Sequence, residues 1–138
     1  MTESDRLEKA RELHEQGFSC CQAVLGALED LTELDRDTAM AVAGGFGGGC
    51  GSGELCGAVS GALMAIGLAF PHTDGGDQEK KAYVRALARQ CVLSFRAEYG
   101  FVNCRELLAA AKKRRCPEFI NYCTALAGTI IQQNKEIQ

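Results

Sequence analysis

The chain has 138 residues, a net charge of −3 and a pI near 5.4, so it lacks the large positive field that binding a nucleic acid or an anionic membrane requires. Its apolar share of 46% and charged share of 24% are those of a soluble globular domain, and at this length a core forms without help from disulfides. One cysteine-rich domain is expected over residues 1–138. The opening residues MTESDRLEK are charged and contain no apolar signal segment, which makes a cytoplasmic location, without membrane insertion, the expectation.

In chain order, apolar residues recur at helical spacing along seven segments, and no stretch alternates as a strand does. The first helix is predicted over 3–16, stopped by Gly17. Ser19 caps a second, whose buried face runs from Cys20 through Ala23, Val24, Ala27 and Leu28 to Leu31. Asp35 or Asp37 starts a short third that ends before Gly44. Residues 44–53, GGFGGGCGSG, hold seven glycines and interrupt any regular element.

A helix over 54–70 follows. Its apolar run falls short of the roughly 20 residues of a membrane span, so it reads as a central buried helix. Gly57, Gly61, Ala65 and Ala69 repeat at four-residue steps and form a groove for close helix packing. That groove makes a homodimer conceivable. After a turn over 71–76, a long helix over 77–99 is stopped by Gly100, a shorter one runs over 104–115, and Pro117 opens the last, reaching 137. The fold class expected is all-α: a single-domain helical bundle of six or seven helices with a glycine-rich loop before the central helix.

Eight cysteines are far more than a chain in a reducing compartment needs for packing, and the excess points to redox or metal-thiolate chemistry. They are Cys20, Cys21, Cys50, Cys56, Cys91, Cys104, Cys116 and Cys123, and no two stand in a C-x-x-C. This removes zinc ribbons, thioredoxin-type motifs, c-type haem attachment and the bacterial ferredoxin run. Any shared site must be assembled from distant segments.

Adjacent Cys20 and Cys21, with Cα atoms about 3.8 Å apart, make a poor disulfide. Cys116 and Cys123 on one helix stand roughly 10 Å apart, too far for a bridge. Cys20, Cys56, Cys104 and Cys116 each fall at or within a turn of a predicted helix N-terminus, where open N–H groups and the positive dipole end favour a thiolate. Cys91 and Cys123 lie on apolar stripes and read as core.

The same stretches resemble a known family, the redox-active proteins named for a C, GCAxxG, C, C cysteine signature. The resemblance is carried by Gly17-Phe-Ser-Cys20-Cys-Gln-Ala-Val, by Phe46-Gly-Gly-Gly-Cys-Gly-Ser-Gly-Glu-Leu-Cys56-Gly-Ala-Val-Ser-Gly61, by Tyr99-Gly-Phe-Val-Asn-Cys104-Arg-Glu-Leu-Leu and by Arg115-Cys116-Pro-Glu-Phe-Ile. It spans nearly the whole chain. Carried over residue by residue, it implies Cys20, Cys56, Cys104 and Cys116 as the signature cysteines, with Cys123 as the alternative for the last. Here the central order is Cys56-Gly57-Ala58, where the family name has Gly-Cys-Ala, and Cys21 and Cys50 lie outside the signature.

Similar domains joined to cytochromes are linked with an iron-sulfur centre, so the resemblance implies one held by those four thiolates. Amides of Gly48, Gly49 and Gly57 are then expected close to sulfur, with Gly61 behind them. Zinc on the same thiolates, or no cofactor at all, are the alternatives. Without metal, Cys56 would be the attacking thiolate and Cys50, with its flexible glycine neighbours, the best placed partner, Cys20 or Cys104 serving otherwise. The reading is therefore a redox protein, an electron carrier or an oxidoreductase, working with a partner protein that the basic run Lys112-Lys-Arg-Arg115 could dock. His14 and His72 are read as a helix-surface and a turn residue.

Overall fold

A computed structural model describes residues 1–110 and 115–137. Within them the chain is all-α, with eight helices: α1 Glu3–Glu15, α2 Cys20–Ala27, α3 Glu29–Thr32, α4 Arg36–Ala43, α5 Gly57–Ala69, α6 Gln78–Tyr99, α7 Cys104–Ala110 and α8 Cys116–Ile137. The glycine stretch between α4 and α5 is itself wound, as a π-type turn over Gly49–Gly53. Among the described residues no helix is long and apolar enough to cross a membrane.

Local chemistry sets most boundaries. Thr2 and Asp5 form a reciprocal capping box on α1, and Ser19 and Gln22 do the same on α2. Asp35 and Asp77 accept N-terminal amides of α4 and α6. Gly100, at φ +85°, ends α6 in the left-handed conformation that suits glycine.

Three boundaries differ from the sequence reading. The second predicted helix divides at Leu28, whose backbone leaves the helical range (φ −98°, ψ 18°), into α2 and the four-residue α3, which left-handed Glu33 (φ 59°) closes. The central helix begins at Gly57 rather than 54. Residues before it are extended, since Leu55 pairs with Asn103 in an isolated antiparallel bridge that takes up their backbone groups. α8 starts at Cys116, one residue before Pro117. The expected end of the preceding helix, in 111–115, falls mostly outside the described residues.

α5 is the buried centre, packed against α2, α8 and α6. Its small-residue face is filled by α2: a Cβ on Gly61 would lie 2.7 Å from the Cys21 carbonyl oxygen. The close helix packing expected of this stripe is thus made inside the fold, by α2. Around α6 and α8, Phe95, Tyr99, Phe119 and Tyr122 stack mostly edge to face, with centroids 4.8–6.0 Å apart.

Arg6, 3% exposed, reaches the Asp30 carboxylate with Nε and Nη2. Asp30→Ala leaves that guanidinium buried opposite no carboxylate, so the expected loss in a urea unfolding curve is about 3 kcal/mol.

Candidate functional site

Cys20 is the first residue of α2, Cys56 the N-cap of α5, Cys104 the first residue of α7 and Cys116 the first of α8. All four line one cavity, closed by Leu107, Leu108 and Phe119. Its volume is only about 10 Å³, the room one water molecule needs. Four helix N-termini therefore meet at one small apolar space, and the positive ends of their dipoles favour negative sulfur there, against the cost of burial.

Two devices hold the sulfurs together. The antiparallel bridge joins the Cys56 amide to the Val102 carbonyl at 2.8 Å and the Cys104 amide to the Glu54 carbonyl at 2.6 Å, clamping two of the four cysteines side by side. The other device is the glycine turn, in which Gly48, Gly49, Cys50 and Gly51 are all left-handed, with φ between 60° and 67°. Gly49 presses on Cys104 so closely that a Cβ there would lie 2.8 Å from the Cys104 Cβ, and a Cβ on Gly57 would come within 3.2 Å of the Cys20 sulfur. Arg105 ties the turn down from α7 by donating to the Ser52 carbonyl at 2.9 Å.

Electrostatics distinguish the thiols. A hydrogen bond from Cys116 pulls the Cys20 thiol down to about 6, and the amides of Gly48 and of Cys20 itself help against the opposing effect of burial. Cys56 goes the other way, to about 11, because burial outweighs the pull of the Ala58 and Val59 amides, which it faces without closing a capping hydrogen bond of ordinary geometry. Of the four thiols that helix position favoured, Cys20 is the acidic one; at Cys56, expected as the attacking thiolate of a metal-free site, desolvation wins. Burial likewise lifts Cys21 and Cys91 to about 12 and Cys123 well above its ordinary value.

A reactivity profile follows. Alkylation of Cys20 by iodoacetamide, followed by mass spectrometry, is expected to be near its plateau at pH 7 and to fall about tenfold per pH unit below the midpoint near 6. The sign is that of a depressed acid: the thiolate is retained until the pH drops through the folded value. Cys116→Ala should move the midpoint up towards the ordinary thiol value, since it removes the largest stabilising contact. An unmoved midpoint would mean that this contact does not set the acidity.

Gly48 reaches Cys20 through its amide, Gly49 meets Cys104, Gly57 meets Cys20, and Gly61 meets Cys21, away from the cavity. Cys116, not Cys123, lines the cavity, while Cys123 is buried at 0% exposure. Cys50 is exposed on the turn and is not among the cavity's lining residues, so it does not face Cys56 across that space. His14 lies near enough for its charge to act on the Cys20 sulfur. His72 has a buried Nε2 with no hydrogen-bond partner among the described residues.

Of the basic run, Lys112, Lys113 and Arg114 lie outside the described residues; Arg115 pairs with Glu118 and stacks on Tyr99 and Phe119. Sequence reasoning missed the walls Leu107, Leu108 and Phe119 and the Arg105 tie.

Thiol donors of this number and softness suit an iron-sulfur cluster or zinc. The positive helix ends and the apolar wall suit the cluster's negative charge. Among the described residues, however, no group of three or more His, Cys, Asp or Glu is set to hold a metal ion. Donor chemistry fits, and a cluster would require the sulfurs to move outward from the closed cavity.

Compared with known proteins, residues 18–130 match the family described as "Putative redox-active protein (C_GCAxxG_C_C)". No curated protein and no solved structure matches the chain.

Proposed function

This chain belongs to the C_GCAxxG_C_C family of redox-active, cysteine-rich proteins, and from that premise we propose that Cys20, Cys56, Cys104 and Cys116 form a thiolate centre that holds an iron-sulfur cluster and exchanges electrons with a partner protein. One observation carries the reading: four cysteines from four helix starts line a single apolar cavity. A dithiol alone needs two of them and leaves Cys56 and Cys104 unexplained.

When bound, the cluster supplies one-electron redox chemistry. The chain's own residues do the rest. Gly48 donates its amide to the Cys20 sulfur, the open amides at the start of α5 face Cys56, and Leu107, Leu108 and Phe119 keep water away. Purification without oxygen, with the visible spectrum and the iron, sulfide and zinc contents measured together, tests the proposal. Brown protein with iron and sulfide in equal amounts supports it; colourless, metal-free protein removes it, and zinc without sulfide replaces it by a structural zinc site.

A second reading rests on a different observation, the contact between the Cys20 and Cys116 thiols and the acidity it confers on Cys20. In the metal-free chain these two form a dithiol, Cys20 attacking a disulfide and Cys116 resolving the product. Oxidation by a small disulfide, followed by mapping of the bridge, tests it; a bridge elsewhere, or none, rejects it.

A further inference from the structure

Positive side chains of this molecule are matched almost everywhere. Among the described residues, lysines and arginines pair with carboxylates, donate to carbonyls or lie over aromatic rings, with four exceptions. Lys81, Arg85, Arg89 and Arg96 have no such partner among those residues, and all four stand on α6. A chain with a net charge of −3 thus gathers its unmatched cations on a single helix.

Helix geometry puts the four within an arc of about 80° and spreads them over roughly 22 Å of the axis. Neither acid of α6, Glu79 or Glu98, falls in that arc, and the buried stripe of Leu87, Cys91 and Phe95 faces away from it. Arg85, Arg89 and Arg96 are exposed and Lys81 is half-buried. Lys81, Arg85 and Arg89 line one groove with Gln78, Ala82 and Ala86, where the short alanine side chains leave a partner's backbone room beside the long basic ones. Leu93, 43% exposed, continues that apolar flank. The far end of the arc reaches the thiol centre: Tyr99, the last residue of α6, meets Phe119 of the cavity wall with ring centroids 4.8 Å apart.

We infer that the outer face of α6 is the docking surface for the redox partner, and that the partner meets it with an acidic face whose carboxylates stand opposite Lys81, Arg85, Arg89 and Arg96. The inference rests on the reading that this chain exchanges electrons with a partner protein. Charge decides the class of partner. A nucleic acid or an anionic bilayer extends past the arc and is repelled by the rest of an acidic chain, and a bilayer needs a wider apolar face than two alanines and a leucine. An acidic protein touching the arc alone meets only the positive charges. Such a contact forms fast, is steered by charge and weakens as salt screens it.

The test separates docking from electron exchange. Poly-L-glutamate is titrated into the isotope-labelled full chain, purified without oxygen, and followed by amide NMR shifts, with a DNA duplex and phosphatidylserine vesicles in parallel. Saturable shifts along α6 are expected with poly-L-glutamate, stronger than with DNA or vesicles. The double variant Arg85→Gln, Arg89→Gln should weaken them about fivefold or more. The charge-matched control Arg11→Gln, Arg36→Gln, which alters two cations paired elsewhere, should not. Separately, reduced plant-type ferredoxin, an acidic protein, is mixed with the chain, and its oxidation, one electron passing from ferredoxin to the chain, is timed. That rate should fall as salt rises and fall about fivefold or more in the α6 variant alone.

Shifts confined to other surfaces, or equal weakening by the two double variants, overturn the inference. Stronger shifts of α6 with DNA or vesicles than with poly-L-glutamate overturn it as well, in favour of that other partner. Ferredoxin oxidised at a rate that neither salt nor the α6 variant changes overturns the docking surface and leaves electron exchange standing. Binding of poly-L-glutamate on α6 with no oxidation of ferredoxin overturns the electron-exchange reading and leaves the surface standing.

Discussion

Cys56→Ser, purified without oxygen, is expected to lose most of the iron, sulfide and visible absorbance that the proposed centre gives the wild-type chain. Serine oxygen is a poor ligand for iron in a thiolate set, and Cys56 is the most enclosed of the four, 4% exposed at the start of the central helix. Cys20→Ser, Cys104→Ser and Cys116→Ser should behave alike.

Cys50→Ser should keep the full iron content, because that thiol is exposed and does not line the cavity. The pattern across the five variants, read as iron and sulfide per chain, discriminates: retention of iron by Cys56→Ser, or loss from Cys50→Ser, would falsify the proposed ligand set.

The second large effect is expected at a glycine. Gly49 has φ +66°, and a Cβ there would lie 2.6 Å from the backbone N and O of Glu54 and 2.8 Å from the Cys104 Cβ. None of these atoms belongs to the far end of a flexible side chain. Gly49→Ala must therefore push the turn off Cys104 and strain the segment that leads to Cys56, in addition to the 1–2 kcal/mol or so that a left-handed alanine costs. A total destabilisation of about 3 kcal/mol or more is expected, with loss of the centre even in chains that remain folded.

Gly51→Ala is the matched control. Its φ is +67°, but its Cβ would meet nothing within 4 Å, so only the backbone strain of about 1–2 kcal/mol should be felt. Urea midpoints and iron contents of the two variants, measured side by side, separate strain from contact; equal effects would mean that the packing of the turn on Cys104 does not matter.

Much of this molecule is legible in its residues. Thr2, Ser19, Asp35 and Asp77 cap helices through bonds that span three positions in the chain, and Gly100 ends one for reasons internal to its own backbone. The placement of Cys20, Cys56, Cys104 and Cys116 at helix starts needed no more than such local rules. What those rules could not supply was the relative strength of burial and dipole at each sulfur. At adjacent helix-start positions, first residue and N-cap, Cys20 is acidic at about 6 and Cys56 weakly acidic at about 11, because one has Cys116 as a donor and the other has mostly apolar enclosure.

Long-range pairing explains the other differences. The extended stretch before α5 looks helical by composition, yet Leu55 finds Asn103 across the site, and a bridge between residues so distant leaves no periodic mark. The Gly57 and Gly61 face announced a close approach without naming the visitor, which proved to be α2 of the same chain.

From its sequence alone this protein is a helical, cysteine-rich chain whose signature thiols sit where helices begin, since helix periodicity, caps and glycine stops act over a few residues. Only the tertiary structure decides that those four thiols meet in one cavity and which of them is acidic, because both depend on the distance between side chains far apart in the chain.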